Sequence, residues 1–247
     1  MDDDFVIITV WVDDMLLFST TTEFKEKAIS DVSSEWEITD LGTPTKIVGI
    51  ELAISPDHIS ISSTGYINAI LARERMDGCN AVSTPLDPNV ALVPNPEINE
   101  INRSNDFARL LGELQYISNA TRPDITYSVN RLASYTGNPS LQHYTALKRI
   151  LRYLSGTKTH RITYKAASID DSFKGFADVA YANADESRST IGYVFLAGGA
   201  AITWSSKRLT LTSLSSTQAE YVALSEAACE ACWLRNLYTE LGLLDEG

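Results

Sequence analysis

Phe5-Val6-Ile7-Ile8-Thr9-Val10-Trp11-Val12-Asp13-Asp14-Met15-Leu16-Leu17-Phe18 decides how the rest of the chain is read. The run to Val12 is β-branched and aromatic, two carboxylates interrupt it, and an apolar run resumes at Met15. That pattern predicts a strand, a two-residue turn at Asp13-Asp14 and a second strand, with the carboxylates at the tip of a hairpin. Adjacent like charges repel, which does nothing for folding. They suit a site that holds divalent cations, where the metal activates a nucleophile and neutralises a phosphoryl transition state. Aspartate is also an ordinary turn residue, so the pair alone does not settle the matter.

Moving outward, residues 23–35 read as a helix and Ile47–Ile54 and Ile59–Ser62 as strands. Ser63 or Thr64 is placed to cap a helix with the stripe Ile67, Ile70 and Leu71. Residues 77–103 form a linker, because four of the eight prolines (Pro85, Pro88, Pro94 and Pro96) fall there among Asn and Asp. Helical patterns follow over roughly 105–119, 124–137 and 140–155, with Gly156 expected just past the last end. The chain then becomes strand-like at Arg161–Tyr164, Phe173–Ala180, Thr190–Ala197 and Ala200–Ser206, before a long helix over about 217–241. The fold class is α+β.

With 44% apolar and 21% charged residues, the 247-residue chain is globular and long enough for two compact units. No apolar run has the roughly 20 residues of a membrane span, and the Met1-Asp2-Asp3-Asp4 start is acidic where a secretory leader is basic. The three cysteines are too few for a disulfide framework, so the chain reads as intracellular with no membrane partner. Net charge is −12, unevenly spread: residues 1–100 carry −13, residues 101–165 carry +7 and residues 166–247 carry −6. A basic centre between acidic flanks fits nucleic acid crossing the middle with carboxylate sites at its edges, or simply solvated faces of differing charge.

Further motifs follow the hairpin in a fixed order: Asp40-Leu41-Gly42, Val48-Gly49-Ile50-Glu51-Leu52, Tyr66-Ile67 and Ser83-Thr84-Pro85-Leu86. Then come Thr121-Arg122-Pro123-Asp124-Ile125, His143, Lys148 to Leu154, and Gly156-Thr157. Later still are Phe176-Ala177-Asp178, Arg188 to Tyr193, Trp204-Ser205-Ser206-Lys207 and Ser215 to Tyr221. In this order they resemble the Pol polyprotein of copia-type LTR retrotransposons over essentially the whole chain: the back of a reverse transcriptase joined to the front of an RNase H.

The resemblance implies the palm hairpin and a thumb-like region over 1–80, a Pro/Asn-rich linker over 81–104, a helical connection over 105–160 and an incomplete RNase H-like α/β domain over 161–247. It implies Asp13 and Asp14, and separately Asp178 and Glu220, as catalytic metal ligands for Mg²⁺ or Mn²⁺. Their work in the intact parent is nucleotidyl transfer on a template–primer and RNA-strand hydrolysis of RNA–DNA hybrids, in the cytoplasm, in virus-like particles or in the nucleus. Trp11 stands where the family usually has Tyr or another smaller residue. A reverse transcriptase also needs an upstream Asp and an RNase H a downstream one, so a chain with these ends is expected to be inactive alone. The alternative is a non-enzymatic module that binds nucleic acid or protein.

Several of these positions have simpler readings. Pro123 and Asp124 suit a helix start. Lys148, Arg149 and Arg152 share a helix face that is either a phosphate track or a solvated surface. With Thr217 as N-cap, Glu220 would sit at N3 of a capping box, a role compatible with metal ligation. Cys229 and Cys232 are expected to be two small buried residues within a helix rather than a redox pair.

Overall fold

The structure, a computed structural model, describes residues 4–96, 106–166, 174–181, 188–210 and 215–244. Residues 97–104 of the expected linker, Phe173 of one expected strand and the tail carboxylate Asp245 lie outside them.

Strand β1 (Val6–Trp11) pairs antiparallel with β2 (Asp14–Ser19), and Trp11 faces Asp14 across the closing pair. The turn is therefore Val12-Asp13, one residue earlier than the sequence suggested. The observed register sets Val10 against Met15, Ile8 against Leu17 and Ile7 against Phe18. A turn at Asp13-Asp14 would set Thr9 against Phe18 and Ile8 against Ser19, a worse match of cross-strand pairs. Helix α1 (Thr22–Glu35) follows, its first turn closed by the Thr21 hydroxyl, which accepts from the Phe24 N–H.

The stretch expected as a single strand over 47–54 is two: β3 (Lys46–Ile47) and β4 (Ile50–Ile54). Val48 and Gly49 between them both have positive φ, 46° and 82°, the conformation of a tight two-residue hairpin turn. The Tyr116 hydroxyl fastens this turn by donating to the Val48 carbonyl at 2.6 Å. Strand β5 (His58–Ser62) leads into α2 (Thr64–Arg73). Neither Ser63 nor Thr64 caps α2 with its side chain. Instead Glu51 reaches over from β4, accepting from the Gly65 N–H at 2.7 Å and the Ser62 hydroxyl at 2.9 Å. The Ser63 hydroxyl is engaged 2.8 Å away with Thr121.

Helix α3 (Asp106–Ala120) is followed by a 3-10 turn (Pro123–Ile125), α4 (Thr126–Ala133) and α5 (Leu141–Gly156). Phe107, Leu114, Ile117, Val129, Leu147 and Ile150 from these helices pack with Ile67 and Ile70 of α2 into the main core. Gly156 is the last residue of α5 rather than its stop; a Cβ there would lie 2.8 Å from the Ala81 Cβ. Strand β6 (Ile162–Lys165) pairs with β5 and completes a four-stranded antiparallel sheet, β3-β4-β5-β6.

Strands β7 (Lys174–Ala180), β8 (Thr190–Ala197) and β9 (Ala200–Arg208) form a second antiparallel sheet, and α6 (Ser216–Glu240) packs on one face of it. Phe195, Ala227 and Leu234 make that smaller core. Alternation along the strands sends Trp204 and Ser206 to the opposite face. There the Trp204 indole N–H donates to the Ser118 carbonyl and the Asn130 amide to the Ser206 carbonyl, at 2.9 and 2.7 Å. No described helix is long and apolar enough to cross a membrane.

Candidate functional site

Asp13 and Asp14 sit where the β1–β2 ladder ends, both exposed. Val12 precedes them at φ 56°, the positive φ that a primed two-residue hairpin turn demands of its first residue and that is unfavourable for a β-branched side chain. The tip thus presents two neighbouring hard oxygen donors, the ligand type that Mg²⁺ and Mn²⁺ prefer. Around it the hairpin is apolar yet uncovered: Val10, Trp11 and Met15 are 60%, 62% and 45% exposed, and α1 has no buried residue.

Asp178 lies in β7 opposite Gly192 of β8. Gly175, Ala177 and Val179 stand on the α6 face, because their partners Phe195, Tyr193 and Ile191 do. Asp178 therefore belongs to the other face, beside Phe176. There it lines a groove of about 360 Å³ whose far wall is Tyr127 of α4. Glu220 lies in the first turns of α6 and is exposed. Its capping role does not materialise: the N-cap is Ser215, whose hydroxyl accepts from the Gln218 N–H at 3.1 Å, and N3 is Gln218. The two carboxylates are thus carried on opposite sides of the sheet. Among the described residues, no three His, Cys, Asp or Glu side chains gather closely enough to hold a metal.

The three basic residues of α5 part company. Lys148 is exposed and lies 5.1 Å from the centre of the Tyr144 ring. Arg149 pairs with Asp87 at 3.5 Å and donates to the Thr84 hydroxyl at 2.9 Å. Arg152 donates to the Asn80 carbonyl at 2.7 Å. These two arginines hold the proline-rich strap against the helices. Gln142 and Tyr135 extend the fastening through the carbonyls of Ala91 and Leu92. Between the strap and α4 a second groove, about 700 Å³, is lined by Pro85 to Val93 together with Asp124, Tyr127 and Arg131.

Tyr127, which borders both grooves, was not singled out from sequence; nothing local marks it among the chain's eleven tyrosines. The sequence also hid the role of Arg122, which is buried and holds Asp124 through two parallel bonds of 2.9 and 2.7 Å. Cys229 and Cys232 correct the expectation of burial, for both are exposed. The buried stripe of α6 runs through Ala219, Ala223, Ala227 and Leu234, which turns the thiols outward.

Residues 1–88 match the family described as reverse transcriptase (RNA-dependent DNA polymerase). The chain is 32% identical over 98% of its length to the retrovirus-related Pol polyprotein from transposon TNT 1-94 of Nicotiana tabacum. It is 34% identical over 96% of its length to that from transposon RE1 of Arabidopsis thaliana. It spans only 19% and 16% of those two polyproteins. The uncharacterised mitochondrial protein AtMg00810 of Arabidopsis thaliana is 34% identical over 92% of this chain and 93% of its own length. No solved structure matches.

Proposed function

Because this chain belongs to the copia-type, retrovirus-related Pol polyprotein family of transposons, we propose that it is a reverse-transcriptase-like portion of such a polyprotein, with Asp13 and Asp14 as divalent-cation ligands. One observation carries the reading: a strained hairpin turn presents two adjacent carboxylates to solvent, inside the segment that matches the reverse transcriptase family. A cation bound there would supply charge neutralisation during nucleotidyl transfer on a template–primer. Asp13 and Asp14 contribute oxygen donors and hold them at a fixed backbone separation. By itself the chain is expected not to extend a primer, since two donors on an exposed tip cannot fix the paired cations that phosphoryl transfer uses.

The RNase H-like reading of residues 161–247 draws on the succession of three antiparallel strands, β7 to β9, and a helix, with Asp178 in the first of these strands and Glu220 in the helix; β6, at the start of that span, pairs with β5 instead. The alternative of a nucleic-acid-binding module draws on the basic centre, but much of that charge is engaged internally. Arg109 pairs with Glu74 and Glu113, Arg122 with Asp124 and Arg149 with Asp87.

Manganese titration of the purified chain, followed by the relaxation of water protons, tests the hairpin. Binding that weakens at least tenfold in both Asp13→Asn and Asp14→Asn supports it, and unchanged binding overturns it. Primer extension and Mg²⁺-dependent hybrid cleavage are run in parallel. Cleavage abolished by both Asp178→Asn and Glu220→Gln would establish a self-sufficient RNase H-like nuclease instead of a dependent portion.

A further inference from the structure

Four turns of α6, from Tyr221 to Leu234, carry only two charged residues, and both are engaged by residues of the sheet. Glu230 accepts from the Tyr193 and Thr203 hydroxyls at 3.3 and 2.7 Å, and Glu226 pairs with Lys207 at 3.2 Å. Between Tyr221 and Leu234 the outward side carries no charge, Arg235 being the next cation along it: Tyr221 and Leu224 are 70% and 60% exposed, Trp233 is 56% exposed, and the free thiols of Cys229 and Cys232 lie between them.

Residues three apart on a helix are surface neighbours, with Cβ atoms about 5–6 Å apart, and side chains at that spacing can grip one metal ion together. Two thiolates select soft or borderline cations such as Zn²⁺, but supply only half of the tetrahedral four-sulfur shell of a closed site. The described residues offer no third donor: no group of three metal-binding side chains occurs among them. The missing pair has an obvious source in a second copy of this helix. A two-fold axis beside residues 229–232 would lay Cys229 and Cys232 of both copies around one point. An antiparallel crossing would also bring Ala228 and Ser225, both small and exposed, to close approach and cover Tyr221, Leu224 and Trp233.

We propose that Cys229 and Cys232 form half of a soft-metal site, completed when two copies of the chain pair through the outer face of α6. Each thiol gives its proton to solvent as the cation binds, so assembly releases acid and is favoured by rising pH.

The full chain, kept reduced, is titrated with Cd²⁺ while cadmium–thiolate absorption and sedimentation are followed. The expected result is absorption that saturates at one cation per two chains as monomer converts to dimer, reversal by chelator, and loss of both signals in Cys229→Ser and Cys232→Ser. Cys79→Ser should leave both intact, and circular dichroism verifies that each variant folds. Saturation at one cation per monomeric chain overturns the proposal. So does a dimer indifferent to chelator and to both substitutions, or the absence of thiolate absorption.

Discussion

Arg122 is 2% exposed and carries a permanent charge, so its partners decide whether it stabilises or wrecks the core around it. Besides Asp124 it donates to the Thr157 carbonyl and hydroxyl at 3.0 and 2.6 Å, tying the turn before α4 to the end of α5. Removing one member of a buried pair strands the other, so Arg122→Ala should destabilise the protein by about 3–5 kcal/mol in denaturant unfolding. Arg122→Lys should recover little of it, because an ammonium cannot make the two parallel bonds. Burial pushes the Asp124 carboxyl pKa up. Hydrogen bonds from Arg122, its charge and the Tyr153 hydroxyl outweigh that and leave it below the ordinary carboxylate value. A depressed folded pKa means stability that is present above the unfolded value and lost as pH falls through the folded one. The stability gap between wild type and Asp124→Asn should therefore be widest near neutrality and close below about pH 4. In sequence, Thr121-Arg122-Pro123-Asp124-Ile125 is legible as a helix start, and the 3-10 turn there bears that out. Its ionic lock was not legible, because Thr157 lies 35 positions away.

At the scale of elements, most helices and strands announce themselves through periodicity, and the discrepancies sit where a distant partner intervenes. Val48-Gly49 looks like strand interior until Tyr116 is seen holding it as a turn. Helix α2 is capped by Glu51, thirteen residues before its first residue, while the local hydroxyl of Ser63 goes to Thr121. Gly156 gives the sharpest test. Alanine is favoured over glycine in a helix by about 1 kcal/mol, yet its Cβ would lie 2.8 Å from that of Ala81 in the strap. Both residues are exposed, but two methyl-sized groups cannot lie that close, so the strap or the helix end must shift. Gly156→Ala should thus lower stability by about 1–3 kcal/mol in thermal unfolding. Ala81→Gly in the same chain should restore it, and a cycle of the two substitutions measures the coupling. The charge pattern of α5 was readable as a basic face, but not the engagement of Arg149 and Arg152 by the strap, since nothing in a sequence says which carbonyl a guanidinium will meet.

Across the whole molecule, stability is unevenly shared. The helical core buries Leu114, Ile117, Leu147, Ile150 and Leu154 completely, and the second sheet leans on it through Trp204 and Asn130. Strand β6 links the two sheets: it pairs with β5, and its Lys165 N–H donates to the Gly198 carbonyl at the β8–β9 turn, at 3.0 Å. The hairpin that carries Asp13 and Asp14 has no such support. Neither of its strands nor α1 contains a buried residue, and an isolated two-stranded hairpin is marginal in water. The carboxylates most legible in the sequence are therefore mounted on the part of the chain least fixed by its own packing. Their exposed apolar neighbours, Val10, Trp11 and Met15, are the residues a covering surface would stabilise. Amide hydrogen exchange measures this directly. Amides of residues 6–19 should exchange through local opening that costs no more than about 2 kcal/mol, whereas those of α3 and α5 should exchange only with global unfolding. Equal protection of the two regions would show that the hairpin is anchored in this chain after all. Protection that appears only on adding the rest of a Pol polyprotein would show that the carboxylate-bearing tip is built by assembly.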